Sequence, residues 1–182
     1  MTNVNGEETP PHHTVYYFDR LIDYNDPSKG AFKVRYWATW EYYKPGEPIV
    51  LTTPGEVNAD GMSPARPYFG VNIKDLRHTC TFLGYSGYPT NQTIHGQIAK
   101  REGGATIVVE HRFYGSSYPY PNLSAKNFKV HTLNQAIEDF DHFTKNAKLT
   151  FPGGNQVRPD KAPWIFVGGG CSGALASCLK VA

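Results

Sequence analysis

A chain of 182 residues is about one domain long and can bury a real core. With 40% hydrophobic and 19% charged residues it is globular, neither disordered nor fibrous. Eighteen Lys+Arg against 16 Asp+Glu leave a formal +2, too balanced for an electrostatic case for nucleic acid or an anionic membrane.

The first stretch, MTNVNGEETPPHHT, is polar and lacks the apolar centre of a signal peptide; residues 1–14 read as a disordered leader ahead of one domain over 15–182. From Tyr16 to Trp40 the pattern is aromatic and alternating. Phe32, Val34 and Tyr36 point one way with Lys33 and Arg35 between them, which predicts a half-buried strand from an antiparallel pair. Asp26–Gly30 supplies the turn. Pro48–Thr53 reads as a buried strand that stops at Pro54-Gly55, and Ala105–Glu110 as another, ahead of a loop rich in Tyr, Gly, Ser and Pro. Met62–Leu83 shows no usable periodicity.

The clearest helix follows. Leu133, Ala136, Ile137, Phe140, Phe143 and Ala147 share one face, and Thr132 with Gln135 forms a capping box. Trp164–Val167 is a fully apolar strand, then comes Gly168–Gly173, then a helical run from Ala174 to Ala182. The apolar stretch 162–179 is too broken by glycine for a membrane span. Strands alternating with helices predict an α/β fold with a mostly parallel sheet, and chemistry at the carboxyl ends of its strands.

Gly168–Gly173 (GGGCSG) admits three chemistries. As G-x-G-x-x-G it matches the dinucleotide fingerprint, which requires an acidic residue about 20 positions later; only nine residues follow Gly173. A Walker-type phosphate loop fails because Ala174-Leu175 stands where Lys then Ser/Thr are needed. A nucleophile elbow holds its serine at a strained strand-to-helix turn between small residues, and Gly170–Ala174 (GCSGA) is an imperfect copy. A glycine turn serving only close helix–strand packing is the structural alternative. No Cys/His set, Cys80, Cys171 and Cys178 included, has metal-ligand spacing, so neither metal nor cofactor is expected.

Separated motifs resemble the prolyl carboxypeptidase and dipeptidyl peptidase II family of serine peptidases, especially its fungal secreted members. They are Tyr17–Asn25, Gly30–Trp37, Thr53–Asn58, Glu110–Ser117, Thr132–Asp139, Lys161–Gly169 and Gly173–Ala176, in the family's order. The resemblance implies the N-terminal part of an α/β-hydrolase fold with an antiparallel N-terminal strand pair. It also implies serine exopeptidase or dipeptidyl-peptidase activity on peptides, with proline as the specificity element, in a secreted or lysosomal/vacuolar protein. Laid without gaps on the family's Gly-Gly-Ser-Tyr-(Ser/Gly)-Gly-Ala-Leu, this chain puts Gly170 at the nucleophile position and Cys171 at the next. The Cys171 amide then falls at one oxyanion position, and an amide near Gly55 or Glu56 at the other, with a plain turn as the alternative for that loop. A two-residue slip makes Ser172 the nucleophile; Cys171 as a substitute would need a base to activate it.

In this fold class the triad acid and histidine follow the serine, and neither residue type occurs after Ser172. The expectation is therefore a truncated chain, inactive alone, with a peptide-binding pseudoenzyme as the alternative and a nucleotide-binding module as the third. Glu110-His111-Arg112 cannot converge on an extended segment and reads as a structural ion pair ordering the Tyr114-Gly115 loop. Asn91 and Asn122 head glycosylation sequons. Met62–Leu83 looks inserted relative to the family.

Overall fold

A computed structural model describes residues 2–56 and 93–179. Its sheet has five strands: β1 (Tyr16–Leu21), β2 (Ala31–Thr39), β3 (Ile49–Thr52), β4 (Ala105–Val109) and β5 (Trp164–Phe166). They lie in the order β1-β2-β4-β3-β5. β2 pairs antiparallel with both β1 and β4, whereas β3 is parallel to β4 and to β5. Four strands thus point one way and β2 alone is reversed, so the architecture is α/β with a mixed sheet. Two of its four pairings are antiparallel, more than the mostly parallel expectation, because β2 pairs antiparallel on its β4 side as well as with β1.

Three helices complete it: α1 (Ile94–Glu102), α2 (Leu133–Asn146) and α3 (Cys171–Cys178). α1 packs on β3 and β4, and α2 on β1 and α3. Both sets of alternating side chains are buried in the central strands: Ile107 and Val109 on one side of β4, Thr106 and Val108 on the other. The sheet is therefore covered on both faces, the usual condition of parallel strands. Phe143, fully buried, packs edge-on against Phe18 at 5.1 Å and Tyr36 at 5.3 Å, which fixes α2 across the antiparallel pair.

α1 has no counterpart in the sequence reading. Its apolar content is low, and its signals are its caps: Thr93 Oγ1 accepts from the Gly96 amide at 3.3 Å, and Gly103 closes it at φ 68°. α2 matches the predicted helix with two differences. Leu133, placed on the buried face, is 55% exposed at the first turn. The capping box is half-formed: Thr132 Oγ1 accepts from the Gln135 amide, but the Gln135 side chain turns away to Asp23 Oδ1 and the Tyr24 amide. It ties the helix to the loop after β1 instead of closing its own cap.

β5, a fully apolar strand by sequence, is half-buried along its length; among the described residues it is an edge strand. α3 begins at Cys171, three residues ahead of the predicted start. Residues 2–14, expected as a disordered leader, carry contacts: a Thr2–Glu8 bridge, the Val4 amide on the Glu41 carbonyl, and His12 against the Glu41 carboxylate at 3.1 Å. Met62–Leu83, Cys80 and Asn91 lie outside the described residues.

Candidate active site

β5 runs into the glycine turn and α3 leaves it. Gly170 is the residue at the bend, with φ 58° and ψ −129°, a backbone conformation that side-chain-bearing residues adopt only under strain. A Cβ built on Gly170 meets nothing within 4 Å, whereas one on Gly168 would lie 2.3 Å from the Ser172 carbonyl oxygen. The strand and the helix thus touch backbone to backbone at Gly168 and Ser172, two positions either side of Gly170. That spacing puts small residues at the flanks of position 170.

Ser172, the alternative nucleophile, is not at the bend. It is the second residue of α3 and is buried. Its hydroxyl is directed at the loop after β3, 3.0 Å from the point where a Cβ on Gly55 would stand. Cys171 begins α3 as an exposed free thiol. It lines a cavity of about 340 Å3 together with Gly55, Glu56, His111, His131 and Leu133; Ser172 is on the core side of the helix, beside Thr53 and Phe140. The structure therefore brings Gly55, Glu56 and Cys171 to one wall and leaves Ser172 behind it. The Gly55 amide makes a long bond to Thr53 Oγ1, 3.4 Å.

The segment after β4 supplies the opposite wall, and its three polar residues diverge as alternation requires. Glu110 is fully buried and takes the Arg35 guanidinium in a two-pronged pair at 2.7 and 3.0 Å; it also accepts from Ser117 Oγ at 2.6 Å and the Ser116 amide. Arg112, equally buried, donates to Asp139 at 2.6 and 2.8 Å and to the carbonyls of Leu21, Ile22 and Val130. Glu110 and Arg112 thus have structural roles, but in two separate pairs, with Arg35 and with Asp139, in place of the single expected pair. Only His111, between the two, faces the cavity.

His111 has its Nδ1 on the Arg112 carbonyl at 2.8 Å, which leaves Nε2 as its outward nitrogen. Its ring centre is 5.7 Å from that of His131, which lies flat on Phe113 at 5.0 Å. His131 Nε2 is 3.4 Å from the Tyr114 hydroxyl. Burial lowers the pKa of both imidazoles below the ordinary histidine value, so they are neutral at neutral pH. Burial, with the negative charge of Glu56 nearby, pushes the Tyr114 hydroxyl up. Phe113 carries φ 68°, the one non-glycine among the described residues with positive φ, and sets the turn that directs His111 and Tyr114 to the same side.

Among the described residues no group of three or more His, Cys, Asp or Glu is arranged to hold a metal, and no helix is long and apolar enough to cross a membrane. Asn122 is exposed, its side-chain oxygen accepting from the Ser124 amide and Asn127 Nδ2. Sequence reading missed His131 as a cavity residue; no motif marks it, since the fold alone brings it to the cavity.

Comparison with known proteins accords with this geometry. A family model described as Serine carboxypeptidase S28 matches residues 86–182, just over half of the chain. The chain is 35% identical over 161 residues to the serine protease vicPa of Bipolaris victoriae, covering 88% of this chain and 26% of that protein. It is 29% identical over 177 residues to a protein of Arthroderma benhamiae named "Probable extracellular serine carboxypeptidase", covering 93% and 21%. It is 24% identical over 173 residues to the human lysosomal Pro-X carboxypeptidase, covering 93% and 29%. The chain spans about a quarter of the length of the curated relatives it matches.

Proposed function

The chain belongs to the serine carboxypeptidase S28 family, and from that premise we propose that it carries the nucleophile-elbow region of an α/β hydrolase that takes peptides, with the elbow's serine replaced by Gly170. Membership of the family supports reading the glycine turn as a peptidase elbow over a nucleotide loop. The observation that carries the proposal is the bend itself: a strand, a residue at φ 58° and ψ −129°, and a helix, packed through the small positions Gly168 and Ser172. That is the strained turn that exposes a nucleophile at the end of a hydrolase strand.

Beside the bend, the loop after β3 supplies Gly55 and Glu56, where such enzymes place a second oxyanion donor near the amide following the nucleophile, here Cys171. Donors of this kind stabilise charge that develops on a carbonyl only after attack. At Gly170 the attacking oxygen is missing, so the cavity binds a peptide without opening its bond. Ser172 does not replace it, because it is buried one residue past the start of α3, not at the bend, and is not among the residues lining the cavity with both imidazoles. Cys171 does face them, but donates an amide in this scheme and leaves its thiol exposed.

Substrate class follows the relatives: a peptide, with proline beside the bond as the specificity element suggested by the Pro-X carboxypeptidase. Their names point to a secreted or lysosomal setting, in which Asn122 is an exposed acceptor for glycan. A proline-containing chromogenic peptide incubated with the 182-residue chain is expected to stay intact. Turnover that disappears in Ser172→Ala would overturn the assignment of Gly170.

A further inference from the structure

The thiol left unused at the start of α3 shares its cavity with a proton acceptor. Cys171 is free and exposed, the first residue of the helix, and lines the cavity of about 340 Å3 together with His111 and His131. His111 is 6% exposed, and its Nδ1 lies 2.8 Å from the Arg112 carbonyl oxygen. A carbonyl only accepts, so Nδ1 carries the proton and Nε2 keeps its lone pair. Among the described residues that nitrogen has no hydrogen-bond partner, and its ring is on the cavity wall. Burial keeps the imidazole neutral at neutral pH, and so able to take a proton.

Cys178 supplies a contrast within the same helix. It is also free and exposed, but it ends α3 and is not among the residues lining the cavity. The helix presents unpaired amides at Cys171 and unpaired carbonyls at Cys178. Negative charge growing on sulfur is therefore favoured at the first position and opposed at the second.

We propose that Cys171 is a covalent modification site for small disulfides, with His111 Nε2 accepting the thiol proton. The Cys171 sulfur attacks one sulfur of the disulfide RSSR, and that S–S bond breaks. Cys171 is oxidised to a mixed disulfide with R, and the departing sulfur is reduced to RS−. The departing thiolate takes the proton back from the imidazolium and leaves as RSH, so the disulfide is the only oxidant required. The adduct occupies the cavity, and an added thiol removes it by the reverse exchange. The chemistry is independent of peptide binding.

The titratable and charged groups around His111 are His131, Tyr114 and Glu56 near the cavity, and Arg112, Asp139 and Arg20 behind the ring. For the test, the reduced 182-residue chain is freed of reductant, incubated with the uncharged 2-hydroxyethyl disulfide, quenched with acid and mapped by mass spectrometry. At pH 7 Cys171 is expected to gain the adduct about tenfold faster than Cys178. An unassisted thiol slows about tenfold per pH unit below its pKa, so the ratio of the two rates is expected to rise from pH 8 to pH 6. His111→Gln, shown by circular dichroism to fold, is expected to cut the ratio to about threefold or less and to remove its pH dependence. Equal rates at the two cysteines, a ratio flat with pH in the unaltered chain, or a pH dependence that survives His111→Gln would overturn the proposal.

Discussion

Asp139→Ala is expected to lower stability by about 3–5 kcal/mol, the range for stranding a buried charge. Asp139 is 1% exposed and, among the described residues, is the only carboxylate paired with two buried guanidiniums. Arg112 grips it with two short bonds, and Arg20 approaches at 3.4 Å while resting on the rings of Phe140 and Phe143. Burial already lowers the Arg20 pKa, and the charge of Asp139 is the main influence opposing that. Without the carboxylate, two cations stay buried with nothing to offset them. Urea unfolding monitored by circular dichroism reads the result as a lower midpoint at unchanged slope. A loss under about 1 kcal/mol would show that the cluster is hydrated, not dry. The site would suffer too, because Arg112 fixes the backbone that holds His111 in the cavity wall.

Gly168→Ala is the second large effect, and its counterpart Gly170→Ser makes it interpretable. The added Cβ at 168 would stand 2.3 Å from the Ser172 carbonyl oxygen and 2.7 Å from the Gly173 nitrogen. Both are backbone atoms of α3, so relief requires moving the helix away from β5. Overpacking of that kind costs about 3 kcal/mol, the upper end of the usual range. At Gly170 the added side chain has open space, and only the backbone at φ 58° and ψ −129° must be maintained, a cost of about 1–3 kcal/mol. Thermal unfolding of the two variants is expected to rank Gly168→Ala below Gly170→Ser. The reverse order would mean that the bend does not have small flanks around position 170.

Legibility in the sequence followed local periodicity. α2 could be read because its aromatic residues recur at helical spacing, and β2, β3 and β4 because alternating or continuous apolar runs end at glycine or proline. α1 was invisible for the same reason: Ile94 is exposed and Ala99 is the only apolar residue it buries, so its evidence lay in two caps and not in a pattern. Leu133 fitted the apolar face by spacing, yet the first turn of α2 projects past the sheet and leaves it at the cavity mouth.

The bend at Gly170 was legible because strand, glycines and helix are contiguous. The opposite wall was not. His111 is recognisable only as the middle of an alternating triplet, and His131 enters through the stack on Phe113, which depends on a positive φ that sequence does not announce. The buried pairs Arg35–Glu110 and Arg112–Asp139 join residues far apart in the chain, and no spacing rule links them. The Gln135 side chain shows the limit of a motif: the capping position was right, and the side chain served a tertiary contact instead.

Mass-spectrometric mapping after fluorophosphonate treatment of the 182-residue chain reads the bend most directly, since the reagent marks a hydroxyl that is both exposed and activated. With Gly170 at the apex and Ser172 turned to the core, the digest should carry no phosphonylated peptide between Gly168 and Leu179. An adduct on Ser172 would place the attacking oxygen there and contradict the account.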